Sequence, residues 1–173
     1  HQVCQYSAGV IMLGGLGLIL ARPERAFELN SHSLFGWAVI LLAAVQITGG
    51  LLRGSKGGPS EEKAGRGLKG DHYDMTRRRL IFEYVHKSVG YVALVLSAIA
   101  ILLGLWEANG PVWMWLMLLG WWGVLIVAFA LLQRRGMAID TYEAIWGPSP
   151  QHPGNHRRPI GFGIRRMDGH PGE

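Results

Sequence analysis

One cysteine, Cys4, stands in a chain of 173 residues. An internal disulfide and a thiolate metal cluster are therefore excluded, and a single buried thiol most often serves as a small apolar filler. Charge is also scarce, at 17% of the chain against 49% hydrophobic residues. Asp, Glu, Lys and Arg are missing altogether from four runs, 3–21, 33–52, 88–106 and 110–133. None of the runs alternates strictly with a period of two, and an unpaired strand cannot satisfy its backbone in lipid, which argues against a β-barrel. No nucleic-acid motif interrupts the runs, so the net charge of +5 has its default meaning, basic segments beside anionic lipid.

Each run is close to the roughly 20 residues that an apolar helix needs to cross about 30 Å of hydrocarbon. The expectation is an all-α integral membrane protein, a bundle of four transmembrane helices over residues 1–135 followed by a tail at 136–173. Glycines inside the runs, Gly9, Gly14, Gly15, Gly17, Gly120 and Gly123, suit membrane helices because small residues let backbones approach. Trp106, Trp113 and Trp115 flank the short turn at 107–111, where indole rings favour the headgroup level.

Orientation follows from the basic residues. The linker at 53–79 carries Arg53, Lys56, Lys63, Arg66, Lys69, Arg77, Arg78 and Arg79, and the tail carries Arg134, Arg135, Arg157, Arg158, Arg165 and Arg166. The opposite face has Arg22 and Arg25 in one loop and no basic residue in the other. The positive-inside rule then places the linker and the C-terminus in the cytoplasm.

Against this background one phrase recurs, H-x-x-x-G-[aromatic], as His32 with Gly36 and Trp37 and as His86 with Gly90 and Tyr91. A further glycine follows each histidine by eighteen residues, at Gly50 and Gly104. Histidine at the mouth of a membrane helix can ligate a metal from inside a bundle, and a glycine four residues on shares its face and leaves space for a flat cofactor. Polar interfacial histidines with packing glycines are the plainer alternative; the repetition favours haem. In the expected threading, His1 and His86 begin helices on the cytoplasmic side and share a depth, so one haem fits between them as an axial pair. His32 begins a helix on the other side with no matching histidine. Either it is not a ligand, or its partner comes from another subunit or from a helix upstream of His1, the sequence being a fragment of a five- or six-helix protein.

These segments resemble the cytochrome b561 group of transmembrane dihaem cytochromes. The resemblance rests on His1 with Gln5, on Asn30-Ser31-His32-Ser33 running on to Gln46 and Gly49-Gly50, and on Glu83-Tyr84-Val85-His86 with Gly90 and Gly104. It spans residues 1–106 and the helix that closes at Gln133. In that family four consecutive core helices carry one histidine each, the first pairing with the third and the second with the fourth. The resemblance implies that His1, His32 and His86 are the second, third and fourth ligands, with the first core helix absent. It further implies single-electron transfer from a cytoplasmic donor such as ascorbate to an outer acceptor such as ferric iron or monodehydroascorbate. Leu34 stands where many eukaryotic members have a tryptophan tied to ascorbate use, and the linker is glycine-rich and charged. Members fused to a DOMON domain share the same core, so an upstream domain or partner subunit is a further expectation.

Two other functions remain open: a cytochrome b subunit of a larger quinone-linked dehydrogenase, and a haem-free scaffold or transporter subunit. Arg77, Arg78, Arg79 and Lys87 are candidates for steering an anionic donor, with headgroup anchoring and a Glu83–Lys87 ion pair as the plainer readings. His72, beside Asp71 and Asp74, reads as solvated. Residues 147–173, rich in Pro, Gly and Arg, cannot bury enough apolar surface to fold alone and read as an extended tail, with 142–146 as a short amphipathic foot at the interface.

Overall fold

The computed structural model describes residues 2–22, 30–54, 58 and 71–167. Regular structure among them is helical: α1 (Gln2–Leu20), α2 (Ser31–Leu51), α3 (Asp71–Asp74), α4 (Arg77–Glu107), α5 (Val112–Arg134), α6 (Thr141–Trp146) and a 3-10 turn at Pro153–His156. One isolated bridge pairs Ile139 with Arg165. Helices α1, α2, α4 and α5 are long and apolar enough to cross a membrane, and almost none of their apolar windows is buried inside the chain. Helices that are apolar on every face and unburied within their own chain have lipid as their solvent. The four uncharged runs thus become four candidate spans of an integral membrane protein.

Capping fixes the helix ends. Asn30 Oδ1 accepts from the Ser33 amide at 2.8 Å while Ser33 Oγ accepts from the Asn30 amide at 3.0 Å, a reciprocal capping box that starts α2. Helix α4 stops where Asn109 takes a left-handed φ of 47° and the Gly110 amide donates to the Leu105 carbonyl at 2.8 Å. Helix α5 stops in the same way around Gly136, whose φ is 69°.

Helix α4 begins at Arg77 and not at Ser88, so His86 lies within the helix instead of at its mouth. The cause is local. Thr76 caps the helix, its Oγ1 accepting from the Arg79 amide at 3.3 Å. Arg79, Glu83 and Lys87 then follow at i,i+4 spacing, with ion pairs of 3.0 and 3.6 Å that support a charged stretch of helix. An uncharged run marks what fits hydrocarbon, which is shorter than what is helical.

The chain divides into two compact units, His1–Gly50 with Ser88–Pro111, and Leu51–Lys87 with Val112–Glu173. In the first, α1 meets α2 at Gly9, where an added methyl would touch Ile47 at 3.4 Å, and α2 meets α4 at Gly90 and Gly104.

The second unit corrects three expectations. Of the tail expected to be extended, residues 147–167 are folded and residues 168–173 lie outside the described residues: Ile160 buries itself with Tyr142 and Met75, and Leu80 and Trp146 pack against them. A segment too poor in apolar residues to fold alone folds here because Met75 and Leu80 complete its core. His72 is not solvated but 1% exposed, its Nδ1 accepting from the Trp146 indole N–H at 2.9 Å. Residues 142–146 are helical, yet Tyr142 and Glu143 turn inward instead of forming an interfacial foot. The Tyr142 hydroxyl donates to the Tyr73 carbonyl at 2.7 Å, and Glu143 Oε2 accepts from the Met167 amide at 2.7 Å. Gly154 lies under the Tyr142 ring, where a Cβ has no room.

Glu83 joins this cap to α4. Its Oε1 accepts from Arg79 Nε and Nη2 at 3.2 and 3.0 Å and lies 4.0 Å from His72 Nε2, while its Oε2 is 3.6 Å from Lys87 Nζ. Arg79 also donates to the Arg53 carbonyl at 2.9 Å, and Lys87 donates to the Ile160 carbonyl. Glu83→Ala leaves the buried Arg79 without its counter-charge, a loss of about 3–5 kcal/mol for a broken buried pair. The expected result is rapid trypsin cleavage within 136–167 in the variant and protection in the wild type.

Asp140 caps α6, its side chain accepting from the Tyr142 amide at 3.3 Å. Burial raises its pKa, and the Tyr142 amide opposes that shift. A carboxyl whose folded pKa is raised favours the folded cap at acid pH, and this contribution is lost as pH rises through the folded pKa. Amide exchange in α6 should therefore gain protection in Asp140→Asn at neutral pH, where the amide side chain keeps the cap without the charge. Asp140→Ala, which removes the cap, should lose about 1 kcal/mol.

Candidate functional site

His32 is the best-defined of the expected ligands. It follows Asn30 and Ser31 at the start of α2, where the capping box fixes its backbone, and its own amide donates to Glu107 Oε1 at 3.3 Å. Its ring lies against Gly104 of α4: a Cβ there would stand 2.8 Å from both Cε1 and Nδ1. Nδ1 lies 2.8 Å from the Ala100 carbonyl. A carbonyl oxygen only accepts, so Nδ1 carries the proton and the neutral ring has its lone pair on Nε2.

That tautomer is the one in which metal-binding histidines are commonly held, one nitrogen tied to a backbone carbonyl and the other left basic. The donor chemistry at His32 therefore fits a haem iron. At Gly36, one turn along α2, an added Cβ would meet nothing within 4 Å. At Gly90 it would meet Gln46 Nε2 at 3.3 Å, the far end of a flexible side chain.

His86 stacks on Phe82 one turn earlier in α4, with ring centroids 5.2 Å apart and planes inclined by 21°. The Arg79 guanidinium lies 5.1 Å from the centroid of that same Phe82 ring. His1 lies outside the described residues, so the expected His1–His86 pair is not placed. Lys56, Lys63, Arg66 and Lys69 of the linker lie outside them too. Among the described residues no three His, Cys, Asp or Glu side chains converge as a metal cage.

The four candidate donor-steering cations divide. Arg78 donates to Asp71 Oδ2 at 2.7 Å and to the Leu52 carbonyl at 2.9 Å. Arg79 is buried on Glu83, and Lys87 is held between Glu83 and Ile160. Arg77 is exposed. Three of the four thus already serve the chain's own architecture.

The sequence ties Gly104 to His86, by its distance and in the family resemblance, whereas the structure makes it the seat of His32. Sequence reasoning missed Glu107 and the Ala100 carbonyl as partners. Glu107 had a signal, since a carboxylate at the end of an uncharged helix is poised to meet a neighbouring helix start with its free amides. A backbone carbonyl has no sequence signature.

No protein-family model, curated protein or solved structure matches this chain.

Gly104→Ala should force the His32 ring from its seat and break its bond to Ala100, costing about 1–3 kcal/mol as an overpacked contact. Thermal unfolding of detergent-purified protein measures this. In a double-mutant cycle the cost should shrink when His32 is already alanine. Strictly additive costs would show that the two positions do not constrain one another.

Proposed function

We propose that the chain is the membrane core of a b-type haem cytochrome, similar to the cytochrome b561 group, which passes single electrons across the bilayer. The observation that carries this reading is the seat of His32. An imidazole at the start of an apolar helix has its Nδ1 proton committed to a backbone carbonyl, and a glycine gives its ring the space to approach. A polar interfacial histidine would have no need of so specific a notch.

Haem b supplies a reversible one-electron iron couple when bound. The residues proposed to hold it are His86, with His1, on the side of the linker and tail, and His32, with a ligand from outside this chain, on the other. Gly36 provides open space one turn from His32, Gly90 is proposed to do so one turn from His86 once the flexible Gln46 amide beside it moves aside, and the apolar faces of the four long helices exclude water. Phe82 orients the His86 ring by stacking on it. The electron donor is proposed to be a small anion such as ascorbate, met on the basic side by Arg77, and the acceptor ferric iron or monodehydroascorbate. The basic linker and tail are assigned to the cytoplasm.

Absorption spectra of protein purified from membranes test the reading. A low-spin b-type spectrum is expected, with the cytoplasmic component lost in His86→Ala. A colourless protein after expression with haem supplied would favour a scaffold or transporter subunit instead. In vesicles of the complete protein, loaded with reductant and given an outside ferric chelate, His32→Ala should keep a reducible haem yet stop transfer, because a roughly 30 Å core is too wide for one cofactor near one face. Normal transfer in that variant would sink the two-haem relay.

A further inference from the structure

The turn Gly161-Phe162-Gly163 is pinned at three points of the second unit. Lys87 donates to the Ile160 carbonyl before it, and Gln133 Nε2 donates to the Phe162 carbonyl within it at 3.2 Å. After it, Arg165 exchanges backbone hydrogen bonds with Ala138 and Asp140 at 2.8 and 2.9 Å. Both glycines are required by the backbone. Gly161 has a φ of 127° and Gly163 a φ of 64°, and a Cβ on Gly163 would collide with the Gln133 side chain. Between them Phe162 stays 72% exposed.

Its depth explains the exposure. Gln133 belongs to the last turn of α5, a helix long and apolar enough to span a membrane. A turn bonded to Gln133 stands within a side chain's length of where that helix leaves the hydrocarbon. Met137, just beyond the helix end, is exposed as well.

The exposed charge among the described residues of the unit is of one sign. Arg134 and Arg135 at the helix end and Arg165 beside Gly136 are exposed, with Arg157 and Arg158 on the same cap. The described acids of the unit, Asp71, Asp74, Glu83, Asp140 and Glu143, are all buried or half-buried. An exposed aromatic ring at the end of a membrane helix, framed by arginines with no exposed acid among the described residues, complements an anionic leaflet.

We propose that the Gly161-Phe162-Gly163 turn is a membrane anchor: Phe162 enters the interfacial zone of the leaflet bordering the C-terminal end of α5, and Arg134, Arg135 and Arg165 engage lipid phosphates around it. The anchor holds the cap against the bilayer. It depends on α5 crossing the membrane and is independent of haem.

Phe162→Cys in a Cys4→Ser background, labelled with an environment-sensitive nitrobenzoxadiazole dye, tests it in nanodiscs of phosphatidylcholine with and without phosphatidylserine. The expected emission is blue-shifted, quenched by lipid bearing a nitroxide near the glycerol level and shielded from aqueous iodide. The same dye at exposed Gln151→Cys should show the reverse. The shielding should strengthen with phosphatidylserine, and Arg135→Gln with Arg165→Gln should abolish that increment. Iodide quenching of the Phe162 label equal to that at Gln151 would overturn the proposal and leave the turn free for a soluble partner. A blue shift without nitroxide quenching would overturn it too, because the dye would then be buried in protein. Unlabelled Phe162→Asp gives an independent readout: trypsin should cut after Arg157 several-fold faster in vesicles, and an unchanged rate counts against the anchor.

Discussion

Three positively charged or proton-bearing groups converge on the Glu83 carboxylate, and the second unit of the chain hangs from it. Arg79 is too buried to be left unpaired, since an isolated charge in that setting loses several kcal/mol of hydration without return. Glu83 supplies the counter-charge and spreads it, drawing Lys87 to its other oxygen and facing His72 across 4.0 Å. Each partner then reaches elsewhere. Arg79 holds the Arg53 carbonyl, Lys87 holds the Ile160 carbonyl, and His72 accepts from Trp146. The last contact fixes a tautomer: an indole N–H donates only, so His72 Nδ1 is bare and its proton sits on Nε2, toward Glu83. One carboxylate thereby connects the linker, the start of α4 and the folded tail. It is also why α4 extends through charged residues down to Thr76.

A different economy governs the first unit. Within hydrocarbon a carbonyl already bonded in a helix still has a second lone pair, and an outside donor reaches it only where the helix surface is low. Gly104 lies one turn after Ala100 and lowers that surface, so the His32 ring settles against it and donates to Ala100. The glycine acts on an imidazole from another helix. This differs from the simple picture in which each histidine shares a face with the glycine four positions later and both serve a flat ligand. Gly36 keeps open space beside it, whereas the side of Gly90 holds the Gln46 amide. The two copies of the repeated phrase therefore sit in unlike surroundings.

How much of this was legible in the sequence depended on the range of the physics involved. Hydropathy is local, and it located the four long helices to within a few residues except at the start of α4. There the missed signal was also local, a threonine at the cap followed by charges at i,i+4 spacing. The cap at 136–167 was illegible because its core is shared: Tyr142 and Ile160 need Met75, which lies far away in the chain. His72 looked solvated because Asp71 and Asp74 flank it, yet Asp71 is itself buried, bonded to Thr76 and Arg78. Of the expected ligands, His32 gained a tautomer and a seat, His86 gained a stacking partner, and His1 lies outside the described residues.

The folded tail also changes how the basic bias of the chain should be weighed. A count of Lys and Arg along a sequence treats every cation as a topological signal. Here Arg78, Arg79 and Lys87 satisfy carboxylates and carbonyls of the protein itself, so their presence is explained without reference to a membrane potential or to lipid. Discounting them still leaves exposed arginines at 77, 134, 135, 157, 158 and 165, against Arg22 among the described residues of the opposite loop. The orientation inferred from the bias keeps its sign after the discount. What alters is the origin of that bias: the cap turns its described acids inward to hold its own fold, and the basic surface is what remains outside among the described residues.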